Sequence, residues 1–437
     1  MTFIRRTRTD FWLCELCVSL RTKQLVAETR DNRREHKTGS WELYAPGRMT
    51  NNSLRAIAIS GAGPAGLAAA LTIAKAGGKA TVYERLRDVG GRFHGDFQGI
   101  ENWTTQGDVL EELRRCGIEP SFEATPICDV VFFDPHGRQY QRRSHDPLFY
   151  LVRRGSEPGT LDHSLKMQAL SAGAELRFSQ AKEHLPEGGI VAQGPRGADA
   201  IAAGYVFETD MADCVFGAAA DGLAAKGYSY LIVHKGRGTV ASCLLADFHS
   251  ERTYVARTLE FFQQKVGLRM KSEKRFGGVG NFFYPATARN GGMLFAGEAA
   301  GFQDALWGFG MRYAMLSGHL AARALLARQP EQYDRLWKKR LGGLMRTAVV
   351  NRLIYQRLGD IGYSAIMRRF NPATDLRAWL RVLYGPSFWR GLLFPLARKA
   401  AATRASRKEV VCVVDGCDCT WCHCHHHVVA TAPTTAG

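Results

Sequence analysis

Residues 56–92 read AIAISGAGPAGLAAALTIAKAGGKATVYERLRDVGGR, and the order of parts within them decides the fold. A short apolar run, Ala56 to Ser60, leads into Gly61-Ala62-Gly63-Pro64-Ala65-Gly66. A helix of small residues is predicted from Leu67 to Ala76, then Gly77-Gly78, a second strand from Ala80 to Tyr83, and Glu84. A dinucleotide-binding βαβ unit requires this order. Gly61 permits the tight turn, Gly63 lets the backbone approach a pyrophosphate, and Gly66 lets helix and strand pack closely. The helix N-terminus adds positive dipole beside the phosphates. Glu84 lies 18 residues beyond Gly66, where a carboxylate at the end of the second strand accepts from a ribose hydroxyl. The stretch Ala56 to Ala74 carries no charge, but Gly61, Gly63, Pro64 and Gly66 within it argue against a membrane span.

At 437 residues the chain can hold two domains and a sizeable core. Apolar residues at 46% and charged residues at 23% describe an ordinary soluble globular protein, expected in the cytoplasm. The net charge of +17 suits an anionic cofactor or substrate, nucleic acid, or an anionic membrane surface. Without an RNA-binding or helix-turn-helix signature, nucleic acid is not an expected partner. Cys116, Cys128, Cys214 and Cys243 are scattered through the body and read as reduced side chains, most of them buried. The other seven cysteines lie in the flanks. The Arg-rich residues 1–48 show no useful periodicity, and Met49 opens a normal lead-in to the first strand. Residues 1–52 are accordingly expected to be a disordered or non-native extension.

After Arg92, the glycine-punctuated stretch Phe93 to Trp103 reads as a loop. A helix is predicted at Val109–Arg115, and a hairpin around Asp134-Pro135-His136-Gly137. Residues 160–171 have helical spacing, Ala174 to Phe178 and Gly189 to Ala192 read as strands, and 205–248 as a series of strands. The second informative stretch is residues 293–318, MLFAGEAAGFQDALWGFGMRYAMLSG. It predicts a strand ending at Gly297-Glu298, a glycine-rich loop, and a helix from about Gly310. The carboxylate can accept from a ribityl hydroxyl, and the helix N-terminus can face a flavin's N1–C2=O edge. A plain strand–loop–helix joint is the bland alternative.

The pair GAGPAG with Glu84, and GEAAG with GFGMRYAMLSG, resembles the FAD-binding halves of the geranylgeranyl reductase family. That family is a branch of the flavoproteins with a p-hydroxybenzoate-hydroxylase-like fold. The similarity covers most of residues 55 to about 330, including LDHSLKMQALSAGAEL at Leu161 to Leu176. The resemblance implies an α/β fold, with a Rossmann-type FAD-binding domain interleaved with a smaller antiparallel-sheet substrate domain and a C-terminal helical segment. The expected FAD-binding parts are residues 53–100, 151–215 and 286–330, and the substrate parts 101–150 and 216–285. By position, Gly61, Gly63, Pro64, Ala65 and Gly66 would cradle the pyrophosphate, and Glu84 with Arg85 would hold the adenosine ribose. Gly297 and Glu298 would sit on the ribityl chain, and Gly308, Gly310 and Met311 would line the isoalloxazine. Arg92 would reach a phosphate or else be a solvated surface arginine. Tyr284 belongs to an aromatic-Pro element near the flavin, or to an ordinary strand end.

The family has Asp where this chain has Glu298. Its Cys-Gly-Gly element is replaced by Phe93-His94-Gly95-Asp96. His94 therefore becomes the candidate proton donor, with a hydrogen-bonded structural histidine as the rival. The second nicotinamide-type GxGxxG is missing, which leaves NADPH and reduced ferredoxin both open as electron donors, the latter implying an electron-transfer partner.

Residues 331–405 are helical in pattern and rich in Arg and aromatics, which suits either a membrane interface or a cap on the FAD domain. The Cys/His-rich residues 406–437 read as a disordered tail rather than a metal site. Three functions follow. The first is FAD-dependent reduction of carbon–carbon double bonds in an isoprenoid or lipid-like substrate. The second is an FAD-dependent monooxygenase or dehydrogenase of an aromatic or polyketide-type substrate. The third is a non-catalytic nucleotide- or metal-binding protein.

Overall fold

The computed structural model describes residues 56–195, 197–371, 374–385, 387–405 and Trp421. The expectations placed on residues 1–52 and on the Cys/His tail lie outside them, Trp421 apart. In chain order the strands and helices are β1 (Ile57–Ser60), α1 (Pro64–Lys75), β2 (Ala80–Tyr83), β3 (Phe97–Glu101), α2 (Val109–Arg115), β4 (Thr125–Ile127), β5 (Asp129–Phe133) and β6 (Gln139–Arg143). There follow β7 (Phe149–Arg153), α3 (Leu161–Ser171), β8 (Glu175–Arg177), β9 (Gly189–Val191), β10 (Ala200–Glu208), β11 (Cys214–Ala218), β12 (Tyr228–His234), β13 (Arg237–Leu244) and α4 (Glu251–Val266). The last part holds β14 (Lys271–Gly280), β15 (Arg289–Asn290), β16 (Met293–Phe295), α5 (Met311–Leu326), α6 (Tyr333–Trp337), α7 (Gly343–Arg369), α8 (Leu376–Tyr384) and α9 (Phe388–Ala405).

Three sheets organise these elements. The first has the order β15-β16-β9-β1-β2-β8 and is parallel except for its β15–β16 edge. Its parallel strands are joined through helices, as parallel pairing demands. The second, β14-β10-β13-β12-β11-β5-β6, is antiparallel except where β11 meets β5. The third is the small antiparallel set β3-β7-β4. The α/β architecture inferred from the sequence is present, with its antiparallel sheet and C-terminal helices.

Two details differ from expectation. The stretch read as a loop after Arg92 contains β3, paired with β7 from Phe97↔Arg153 to Glu101↔Phe149. Gly99 does not mark a turn there. A Cβ on it would lie 2.3 Å from a ring carbon of Phe309, so the glycine admits an aromatic face against the strand. Strand β10, expected with the FAD-binding half, pairs instead with β13 and β14 in the antiparallel sheet.

Helix α1 is made of small residues because it is covered on nearly every side. Leu67, Leu71 and Ile73 meet Ile59 and Val82 of the first sheet and Met315 and Leu316 of α5 in one core. The two helices approach until a Cβ on Gly318 would lie 2.0 Å from the Ala65 carbonyl oxygen. Further along, Thr72 Oγ1 and His319 Nδ1 are 3.0 Å apart, and burial pulls the His319 imidazole down to about 4, so it is neutral at pH 7. A second core joins β3 and β7 to the C-terminal helices through Trp103, Phe149, Val350 and Tyr384. A third lies between the antiparallel sheet and α4, around Leu231, Val240 and Phe262.

Gly318→Ala is expected to lower stability by about 1–3 kcal/mol, because the added methyl must push α1 and α5 apart. Thermal unfolding followed by circular dichroism reads this directly, and an unchanged Tm would contradict the close approach.

Candidate functional site

The glycine turn after β1 is fixed by its surroundings. The Gly61 amide donates to the Tyr83 carbonyl at 2.8 Å, and Gly61 has φ +100°, where a Cβ would lie 2.3 Å from the Ala192 oxygen. Gly66 has no room either, since a Cβ would lie 1.9 Å from the Gly61 oxygen. Gly63 is different: a Cβ there would meet nothing within 4 Å. Its bare backbone faces open space at the start of α1. That helix begins at Pro64 with no side-chain cap and no acidic residue in its first turn. Its first amides and its dipole are therefore left to an anion. Glu84 is held beside this opening, its two oxygens accepting from the Ala62 amide at 2.8 Å and the Leu86 amide at 2.9 Å. Arg85 is exposed next to it.

The second motif closes on the first. Gly297 takes φ +62° and donates its amide to Ser317 Oγ at 2.9 Å, and Ala65 lies against it. Burial pushes the Glu298 carboxyl above its ordinary range, opposed by the Arg92 and Arg154 guanidiniums. Arg92 Nη2 stands 3.6 Å from Glu298 Oε2. Arg92 and Arg154 also lie over the Phe93 ring at 4.8 and 4.0 Å. Arg154 is itself buried and donates to both oxygens of Asp162 at 2.8 Å. Nearby Asp96 is pushed up by burial, with Gln98 and Arg154 pulling the other way.

Helix α5 also starts uncapped, at Gly310, with no acidic residue in its first turn and Met311 buried. The loop before it folds back on itself at Gly308, φ +75°, whose carbonyl accepts from Gln303 Nε2 at 2.6 Å. The Gln303 side-chain oxygen is buried without a hydrogen-bond partner among the described residues. A buried acceptor in that state calls for a donor.

His94 is exposed, and its backbone amide donates to Asp96 Oδ1 at 3.2 Å. Tyr284 is half-buried in aromatic packing, its ring 5.5 Å from Trp337 and 5.2 Å from Phe394.

Several contributors were not singled out from the sequence. One face of the antiparallel sheet presents Tyr228, Tyr230 and Ile232 from β12, paired with Cys243, Ala241 and Thr239 of β13. Alternation in YSYLIVH could have shown that these tyrosines share a face. Tyr228 donates its hydroxyl to the Trp307 carbonyl at 2.5 Å, which ties this face to the second motif's loop. Trp307 is flanked by the Tyr228 and Tyr355 rings, each at 5.5 Å. Burial pushes the Cys243 thiol up to about 12. The four described cysteines are free thiols, each only partly buried rather than fully enclosed, because they sit at element ends or on this sheet face.

Asp304 is the other group that the sequence left silent. It is fully enclosed in the loop, accepting from the Trp307 amide at 2.7 Å and the Tyr384 hydroxyl at 2.9 Å. Burial outweighs these bonds and raises its carboxyl from 3.8 to about 7. The folded chain therefore holds this proton more tightly than the unfolded chain. Its contribution to stability is complete below pH 3.8 and is lost as pH rises towards and through about 7. Asp304→Asn is expected to flatten that part of the Tm-against-pH curve relative to the parent protein. Parallel curves for the two would contradict it.

With the geometry in place, the comparisons are informative. Residues 59–99 match the NAD(P)-binding Rossmann-like domain model. The chain is 28% identical over 149 residues to digeranylgeranylglycerophospholipid reductase 2 of Methanopyrus kandleri, covering 33% of this chain and 34% of that protein. It is 36% identical over 70 residues to thiamine thiazole synthase of Pyrococcus horikoshii, 16% of this chain and 28% of that one. The matches thus span about a third or less of these curated relatives. Among solved structures, a geranylgeranyl bacteriochlorophyll reductase-like protein of Thermoplasma acidophilum superposes with a TM-score of 0.59 at 17% identity, over 80% of this chain and all of that one. A flavoprotein/dehydrogenase of Cytophaga hutchinsonii gives 0.54 at 16%, over 81% and all of its length. The flavin-dependent brominase Bmp2 gives 0.52 at 16%, with the same coverage. The fold is the one these solved flavoproteins and the geranylgeranyl bacteriochlorophyll reductase-like protein share.

Proposed function

We propose that the protein is an FAD-dependent oxidoreductase that reduces carbon–carbon double bonds of an isoprenoid or lipid-like substrate. The observation that carries this is the meeting of the two glycine motifs, each presenting an uncapped helix end and a held carboxylate. The residues fit an FAD. Gly63 leaves the space a pyrophosphate needs, and the N–H groups of Ala65 and Gly66, just after the donorless Pro64, lie at the positive end of α1. Glu84, with its carboxylate already fixed by two amides, is oriented to accept from the ribose. Glu298, beside Arg92, would hold the ribityl chain. Gly308, Gly310 and Met311 would line the ring, and the partnerless Gln303 oxygen would accept an N–H from its edge.

Bound FAD supplies hydride chemistry that no side chain can perform. The chain's own part is to bind, to orient and to deliver a proton. His94, exposed on the loop beside Phe93, is the proposed donor of the proton that completes alkene reduction, with Tyr284 as the second candidate. The sheet face around Tyr230, Ile232 and Ala241 offers small and aromatic surface, with Arg237 and Lys274 further along the same face, and this central stretch suits an apolar chain. The sequence leaves both NADPH and reduced ferredoxin open as donors.

Two results test this reading. Glu84→Ala is expected to weaken FAD binding roughly ten- to a hundredfold, the loss of one charge-assisted hydrogen bond, measured by flavin fluorescence on titration. Holoprotein reduced under argon, with NADPH and with reduced ferredoxin in separate runs, is expected to add one H2 per reduced double bond to a prenyl lipid, seen by mass spectrometry. An oxygen-dependent hydroxylated product, with NADPH consumed in step, would replace the reductase reading by the monooxygenase one.

A further inference from the structure

The C-terminal helices present a surface that the redox reading does not use. Helix α9 is seated by one face: Phe394 packs on Tyr284 and Ala397 is buried. The opposite face is open and apolar. Phe388 is 74% exposed, Trp389 52%, Leu392 57% and Leu396 55%. Large apolar side chains at this exposure, repeating over two turns of one helix, are not the scattered surface residues of an ordinary soluble face. Val382 of α8 is also exposed, and Arg390 donates to the Gly385 carbonyl at 2.9 Å across the α8–α9 turn.

Charge says what covers this face. Between Asp375 and Glu409 the sequence has no acidic residue, while Arg381, Arg390, Arg398 and Lys399 are all basic. Arg398 and Lys399 are exposed where the apolar stripe ends. A stripe of Phe, Trp and Leu in a segment that carries cations and no acidic residue from 376 to 408 has the composition of a helix lying in the plane of an anionic bilayer, apolar side among the acyl chains and cations at the headgroups. Among the described residues no helix is long and apolar enough to cross a membrane, so the contact lies in the interface.

We infer that α9 docks the protein on anionic lipid bilayers through the face of Phe388, Trp389, Leu392 and Leu396. This goes beyond the proposed reaction and stands or falls separately from it. It also joins the two readings left open by the sequence: the helix is a cap by its inner face and a membrane contact by its outer one.

The test is co-sedimentation of the full-length holoprotein with vesicles of phosphatidylcholine alone and of phosphatidylcholine containing about a third phosphatidylglycerol. Strong partition onto the anionic vesicles, falling with added salt, is expected. The double variant F388S/L392S should lose on the order of tenfold or more in partition, and R398E/K399E should lose it chiefly at low salt. Both keep the inner face of α9, so flavin content and thermal unfolding should match the parent. The difference between the emission of the parent and of W389F should shift to the blue on vesicle binding. Failure to bind either vesicle, or equal partition of F388S/L392S and parent, would overturn the inference. So would a parent dimer that F388S/L392S converts to monomer without any lipid binding, since the face would then belong to a second copy of the chain.

Discussion

The close approach of α1 to α5 is the constraint on which the rest depends. Gly318 has no side chain because the Ala65 carbonyl occupies its place, and Gly297 lies against Ala65 in turn. This contact brings the starts of two helices, far apart in sequence, into one region. Each start is uncapped and free of acidic residues, so each leaves its first amides and positive dipole end without a partner of its own. A side chain at Gly318 would push the two motifs apart without touching a ligand-binding group.

Buried charge then fixes what surrounds that space. Arg154 is paired with Asp162 and also donates to Gln98 Oε1, while its guanidinium covers Phe93. Arg312, at the start of α5, is buried between Glu101 of β3 and Glu112 of α2, and Arg340 reaches Glu112 as well. Breaking a buried pair leaves an uncompensated charge and costs about 3–5 kcal/mol, far more than the net worth of the pair itself. The ion pairs therefore act less as a source of stability than as a lock. They hold β3, α2 and α5 in the one arrangement that satisfies every charge.

What the sequence made legible is what local chemistry writes into it. The glycine turn, the small-residue helix α1, Glu84, helix α2 and the hairpin at Asp134–Gly137 all follow from residue spacing and turn preference. Gly99 shows the limit. A stretch punctuated by glycines reads as a loop, but here Gly99 sits inside a strand because the ring of Phe309, more than two hundred residues away, lies against it. Asp162 and Asp304 were silent for the same reason. Their meaning comes from partners supplied by other parts of the fold, and no local pattern encodes a buried partner. His94, by contrast, was conspicuous in sequence and is placed on the exposed loop beside Phe93.

The account turns on a flavin being held by the two motifs together. The most direct measurement is the absorbance spectrum of purified protein incubated with excess FAD and freed of unbound cofactor, with the bound species then released by heat and identified. About one non-covalently held FAD per chain is predicted, with Gly63→Val retaining none while keeping the circular dichroism of the parent. A correctly folded protein that holds no flavin under these conditions would contradict the account at its centre.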